Sequence, residues 1–396
     1  MSARKLTEGI FEVGARDWER RLFDELIPLP DGTSYNSYLI LGSEKTALID
    51  TVDPKTFDQI LANLKKLKIK AIDYIIANHA EQDHSGSIPA LLEIFTGAKV
   101  VTNSKCKAML IDLLHIGGDR FIVKEDHETL TLGGKTLEFI IFPWVHWPET
   151  MLTYAREDRI LFSCDLFGSH TADSRLFIEK DRETGIKEPA FRYFAEIMYP
   201  FRSNIAGNFE KITSLDISMI APSHGAVYTN PGFIIECYRE WISDRVVNKV
   251  VIPFVSMHGS VRAMTDYLMD ALIDRGIEVK PFDLTASDVG KLAMALTDAA
   301  TVVVGVPTVL GGMHPWAAYA VYLYNLLRPK TKFVTVIGSY GWGGKALEQI
   351  KSMLYNVKAE ILAPVIIKGL PGEKELSALD ALADCIASKH KEIGII

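Results

Sequence analysis

The sequence predicts an α/β protein in two successive parts, residues 1–248 and 249–396. Three observations lead there. The length of 396 residues exceeds one ordinary core, because single cores stop growing beyond roughly 250–300 residues and longer chains split into domains. In the first part, several apolar runs each lead to a side chain that binds metals. In the second, five strand-like runs alternate with five helix-like ones, the rhythm of a doubly wound five-stranded parallel sheet.

Taken in order, "YNSYLILGSEKTALIDT" reads as two strands joined through Gly42–Lys45. "PKTFDQILANLKKLKI" is a helix, with Phe57, Ile60, Leu61, Leu64 and Leu67 at helical spacing and Pro54 near its start. "IDYIIAN" is a buried strand ending at His79, "LEFIIFPWV" leads to His146, "RILFSCD" ends at Asp165 and "ISMIAPSH" at His224. Strand ends are where a rigid scaffold presents chemistry. From Lys249 the strands are "KVVIPFVS", "EVKPFDL", "ATVVVGVPT", "KFVTVIGSYG" and "EILAPVIIKG". Between them lie helices such as "AMTDYLMDALIDRG", closed by Gly276, and the last helix starts at about Glu373.

The bulk numbers narrow the function classes. Apolar residues make up 48% and charged residues 23%, and the net charge is −7. That balance argues against nucleic acid or an anionic membrane as the partner. The acidic excess lies in the first 248 residues, which hold 28 of the 43 basic and 36 of the 50 acidic side chains. No apolar run resembles a signal peptide or approaches the ~18 residues of a membrane span. Cys106, Cys164, Cys237 and Cys385 form no C-x-x-C pair, so neither a disulfide framework nor a cysteine-held metal is expected. These features point to a reducing cytoplasm.

The stretch "ANHAEQDHSG" concentrates the chemistry: His79, Glu81, Asp83 and His84 fall within six positions. With His146, Asp165 and His224 they make four imidazoles and three carboxylates. That is too many donors for one ion and suits two with a shared carboxylate. A single histidine is most often a core or surface residue; three strand-end ligands beside a dense loop are hard to explain that way. Trp144 and Trp147, flanking His146, read as packing for the wall of the site. His170 reads either as a hydrogen-bond partner of a ligand or as an ordinary loop histidine. Cys164 is expected to be buried and inert, facing away from Asp165.

H-x-E-x-D-H at a strand end, followed by His, Asp and His, resembles the metallo-β-lactamase superfamily, whose hydrolases usually carry histidine where this chain has Glu81. A hard anionic oxygen there favours iron or manganese over zinc. Together with the second part, the pattern resembles the flavodiiron proteins, or A-type flavoproteins, over essentially the whole chain. The fold this implies is a metallo-β-lactamase-like αββα sandwich followed by a flavodoxin-like domain. The resemblance further implies that His79, Glu81 and His146 bind one iron and that Asp83, His84 and His224 bind the other. Asp165 would bridge them, and this diiron centre is the catalytic site.

In the second part, "VSMHGSVRAM" follows the first strand and offers small residues, hydroxyls and backbone N–H groups, as a phosphate loop requires. It lacks G-x-G-x-x-G and a Walker lysine, and it looks like a flavodoxin loop for the FMN phosphate. Ser256, Met257, His258, Gly259, Ser260 and Val261 are the candidates; Val261 stands where such loops often carry threonine. The loops "GVPTVLGG" and "GSYGWGGK" follow later strands on the same sheet edge. They add Pro307, Thr308, Leu310, Gly311, Ser339, Tyr340, Gly341, Trp342 and Gly343. Each glycine-rich loop alone could be a plain turn; three together point to FMN.

The resemblance implies an oxidoreductase that reduces O2 to water, NO to N2O, or both. Electrons would pass through FMN from a separate donor such as rubredoxin, in a head-to-tail homodimer or a dimer of dimers. The alternative is a binuclear zinc hydrolase with an accessory domain, against which Glu81 and the flavin loops both count.

Overall fold

Alternation along the strands separates two cores in the N-terminal half. Leu39, Leu48, Ile75 and Val100 pack into one core, while their neighbours Ile40, Ile49, Ile76 and Val101 pack into another. Successive side chains of a strand face opposite sides of its sheet, so one sheet feeds both cores. The first core is closed by helices Phe57–Lys66, Ile88–Ile94 and Ser104–Leu114, through Ile60, Leu64, Ile88, Leu91, Cys106 and Leu110. The second lies between two sheets, its far side made by Leu137, Phe139, Met151, Ile160, Phe162, Ala221 and Val227. Helices Glu183–Tyr193 and Pro231–Trp241 follow the second sheet's strands, and Phe191 meets Trp241 at 5.0 Å between ring centres. The order is helix, sheet, sheet, helix, as the sequence leads one to expect.

The computed structural model describes residues 3–396. It divides into two compact units, Met1–Ile242 and Ser243–Ile396. The division falls ahead of 248/249 because the first strand of the second unit already runs from Val247 to Phe254.

Two parallel pairings set up the N-terminal site. Strand Thr46–Ile49 pairs with Tyr74–Ile76 so that Ile49 faces Ile76. Strand Ile160–Phe162 pairs with Met219–Ala221 so that Phe162 faces Ala221. In a parallel pair both chains leave the sheet at the same edge, so the segments beyond Ile49 and Ile76 emerge side by side, as do those beyond Phe162 and Ala221. His79, Asp165 and His224 each lie three residues past those ends, and His146 lies five past Ile141. The strands are thus shorter than the apolar runs suggest. Cys164 sits in a turn with φ +51° instead of a strand, yet it is buried as expected.

In the second unit the strands run Glu278–Asp283, Val247–Phe254, Ala299–Val309, Phe333–Tyr340 and then a fifth, all parallel. In chain order this is 2-1-3-4-5, the flavodoxin-like order, whose ligand crevice opens where the first and third strands meet. Gly305 permits that meeting: a Cβ there would stand 2.5 Å from the Cβ of Phe254. Two features differ from the expected rhythm. The third strand runs through Pro307 and Thr308 and turns at Leu310–Gly311. It then returns as Gly312–Met313 in a short hairpin, where a plain loop was expected. The fifth strand is split into Glu360–Ile361 and Val365–Lys368, with Pro364 in the gap. Proline cannot donate to a ladder and is tolerated at sheet edges. No described helix is long and apolar enough to cross a membrane.

Candidate metal centre and cofactor loops

All seven candidate ligands converge. His79, Glu81, His146 and Asp165 bring one donor atom each within 4.8 Å of one another, and Asp83, His84 and His224 do the same. Asp165 joins the sets, one oxygen to each. Its Oδ2 lies 3.5 Å from His79 Nε2 and 3.4 Å from His146 Nε2. Its Oδ1 lies 2.9 Å from His84 Nε2 and 3.5 Å from His224 Nε2. Glu81 Oε2 is 3.1 Å from His79 Nε2 and 3.0 Å from His146 Nε2. Asp83 stands 3.4 Å from His84 and 3.3 Å from His224. Donors held at ~2.1 Å from one ion are separated by about 3.0–3.4 Å, so these spacings match two adjacent coordination sets.

Local structure explains each placement. Glu81 is the N-cap of the short helix Gln82–Ser85, which turns Asp83 and His84 inward. Asn78 N–H donates to Asp50 at 2.9 Å, and Ser223 Oγ lies 3.4 Å from the same carboxylate, so Asp50 ties together the loops carrying His79 and His224. His79 Nδ1 meets Glu149 at 3.0 Å, and the Ala80 N–H donates to the same oxygen at 3.0 Å. His224 Nδ1–H donates to the Ser34 carbonyl at 2.6 Å. With Nδ1 committed, Nε2 presents its lone pair to the centre.

The charges are intensely coupled. Burial alone depresses His79, but Glu149, Glu81 and Asp165 outweigh it and hold the ring at about 10. Burial likewise opposes protonation of His146 and His84, which the neighbouring carboxylates hold at about 10 and about 9. Burial would raise Glu81, yet His146 and His79 keep it well below the usual carboxylate range. Asp50, buried in the same way, is pushed up to about 6.

Among the described residues, both oxygens of Asp83 are buried without a hydrogen-bond partner, and His84 Nε2 and Asp165 Oδ1, 2.9 Å apart, make no well-directed bond. Leaving such an atom unsatisfied costs about 1–3 kcal/mol, more if charged. Two cations would turn all four into ligands, and four imidazoles with three hard carboxylates suit iron.

Two of the weaker expectations change. Trp147 does wall the site, its ring edge-on to His79 at 5.1 Å, but Trp144 is 44% exposed and stacks on Phe201 instead. His170 bonds Thr33 Oγ1 at 2.8 Å through Nδ1 and touches His224 only ring to ring, at 4.7 Å. Sequence reasoning missed Asp50 and Glu149. Asp50 ends an apolar strand-like run just as His79 does, so the same rule could have found it. Glu149, in "WPET", carries no such signal.

In the second unit, Ser256–Gly259 form the turn after the first strand, and Gly259 has φ +90°. Gly259 caps the 14-residue helix Ser260–Ile273 without a side-chain bond, while Ser256 Oγ accepts the Arg262 N–H at 3.1 Å. A helix N-terminus beside serine hydroxyls is a fitting cradle for a phosphate. The Val261 side chain is 1% exposed and packs in the core, leaving only its backbone for a ligand. Thr308, Ser339, Tyr340 and Gly343 line a common cleft of about 320 Å³. Pro307 is buried within its strand, and Ser339 Oγ donates to the Gly369 carbonyl at 2.6 Å. Leu310 and Trp342, by contrast, are 96% and 76% exposed, and Gly311 and Gly341 flank them.

A family profile described as ODP family beta lactamase matches residues 33–225. The nitric oxide reductase of Moorella thermoacetica is 36% identical over 364 residues, 90% of this chain and 91% of that one. Among solved structures, the rubredoxin oxygen:oxidoreductase of Desulfovibrio gigas superposes with a TM-score of 0.93 at 30% identity, covering 98% of this chain and 99% of that one. The flavodiiron protein of Giardia intestinalis gives 0.87 at 28% identity, with 98% of each chain covered. The chain belongs to the flavodiiron proteins. A flavodiiron protein carries two irons and FMN, and this one has a donor set and a flavodoxin-like crevice that fit both.

Proposed function

We propose that this flavodiiron protein reduces O2 to water, NO to N2O, or both, and is not a zinc hydrolase. His79, Glu81 and His146 would hold one iron and Asp83, His84 and His224 the other, with Asp165 offering one oxygen to each set. The division of the Asp165 oxygens between two donor sets is the observation that carries this reading.

The iron pair and FMN supply the redox change and the open coordination for a diatomic gas. The chain's own residues supply the rest. Glu149 and the Ser34 carbonyl hold His79 and His224 with Nε2 inward. Trp147, Tyr193 and Phe201 surround the ligand rings at 5.1, 5.8 and 6.5 Å, an apolar wall that limits water. In the second unit, Ser256, Met257, His258, Gly259, Ser260 and the Val261 backbone take the phosphate. The segments 307–311 and 339–343 would flank the flavin ring.

The donor is a separate redox protein, with rubredoxin the first choice because it is named in the Desulfovibrio gigas relative. A head-to-tail homodimer or dimer of dimers in the cytoplasm completes the reading. The test is iron and FMN analysis of purified protein, joined to anaerobic reduction and measured consumption of each gas. Two irons and one FMN per chain with turnover of either gas are expected. Two zincs, no flavin and esterase or lactamase activity would overturn it.

A further inference from the structure

The two coordination sets look alike in charge: each has one carboxylate of its own, Glu81 or Asp83, and half of Asp165. Behind the histidines they differ. His79 Nδ1 leans on the Glu149 carboxylate, whose side chain is fully buried. His224 Nδ1 leans on the neutral Ser34 carbonyl, and among the described residues His84 Nδ1 has no hydrogen-bond partner. The other nearby buried carboxylate, Asp50, accepts from Asn78 and Ser223 and so meets backbone and loop groups instead of a ligand ring.

We propose that Glu149 is a positioning residue that makes the two ion positions unequal. By accepting the Nδ1 proton of His79 it fixes the tautomer and passes part of a negative charge to Nε2. The ion held by His79, Glu81 and His146 is therefore the more tightly held of the two and, of the pair, the more easily oxidised. An anionic partner behind an imidazole raises the basicity of the ligating nitrogen, and removing such a partner typically costs about 10–100-fold in metal affinity. Glu149 also accepts the Ala80 N–H, so one oxygen fixes both the ring and the backbone beside it. Glu149 itself bonds no residue of the other set, and His79 meets that set's own residues only ring to ring, 5.6 Å from His84.

This rests on the iron reading of the site, and its test separates the two. In unmodified protein, partial extraction with a weak chelator followed by anomalous diffraction at the iron edge should show the Asp83–His84–His224 position emptying first. Glu149→Gln keeps an oxygen acceptor and removes the charge. Iron titrations monitored by absorbance should show one of its two affinities falling by about 10–100-fold. The gap between the two iron midpoint potentials should narrow. If the His79 position empties first, or if Glu149→Gln keeps both affinities and the potential gap, the inference is overturned while the iron reading stands. Unmodified protein that takes up no iron pair overturns both.

Discussion

The two units build their sites on opposite plans. In the N-terminal unit, His79, His84, Asp165 and His224 are at most 1% exposed, and their backbones are locked by bonds such as Ser223 N–H to the Cys164 carbonyl at 2.8 Å. In the C-terminal unit the cofactor loops stand open, with Met257 43%, Trp342 76% and Leu310 96% exposed. The difference follows from ligand size. A small ion offers nothing but charge, so its donors must converge and be desolvated beforehand. A flavin brings its own large surface, so the protein needs only a phosphate cradle and two flanking segments. The first plan makes the protein depend on its ligand; the second leaves a fold that stands without it.

The largest effect should come from breaking the shared donor. Asp165→Ala takes one oxygen from each set, so iron content should fall toward zero and gas consumption by about 100-fold or more, beyond the loss of an outer partner. FMN content should not change. Retention of two irons per chain would show that the donors are less interdependent than their spacing implies.

Iron removal should next separate the units by pH. In metal-free protein His79 and His146 sit at about 10 and His84 at about 9, above the ordinary 6.5. Raised values contribute stability that is fully present below pH 6.5 and is lost as pH climbs through 9–10. Iron needs neutral imidazoles, so loaded protein gains affinity over the same range. Melting curves of chelated and loaded protein should therefore diverge from pH 6.5 to 10; parallel curves would mean that these histidines do not carry the charge of the empty centre.

Smaller changes belong to the open site. Ser256→Ala removes the acceptor for the Arg262 N–H, worth about 1 kcal/mol, and should weaken FMN about fivefold with iron unchanged. Least of all, Val261→Thr restores the hydroxyl usual in such loops but buries it, at a cost of about 1–3 kcal/mol. FMN affinity should not rise. A clear gain would show that this side chain can turn toward the ligand.

The same contrast decides what the sequence could reveal. Metal donors are rare residue types at apolar run ends, so His79, Asp165 and His224 stood out, and Glu81 distinguished iron from zinc. Fold class was equally visible, because period-two alternation and the strand–helix rhythm are local signals. The hidden features needed tertiary pairing. Glu149 reaches His79 across 70 positions of chain, and no local pattern announces that. The glycines near Leu310 mark a turn without showing that the chain comes back as a strand, which is what the hairpin there does. Val261 looked like a cofactor contact by position, and its burial depends on how the helix rotates against Gly305.

The split fifth strand has a consequence for how the protein behaves in a crowd. It forms one edge of the flavin sheet, and Ile361 and Ile366 on it are 46% and 39% exposed. A long unbroken edge of that kind is a template on which other chains can add strands. Pro364 interrupts it, and the opposite edge, Glu278–Asp283, carries exposed Glu278, Lys280 and Pro281. Both borders of the sheet thus refuse further strands, guarding against self-assembly into aggregates while the cofactor loops at the strand ends stay open.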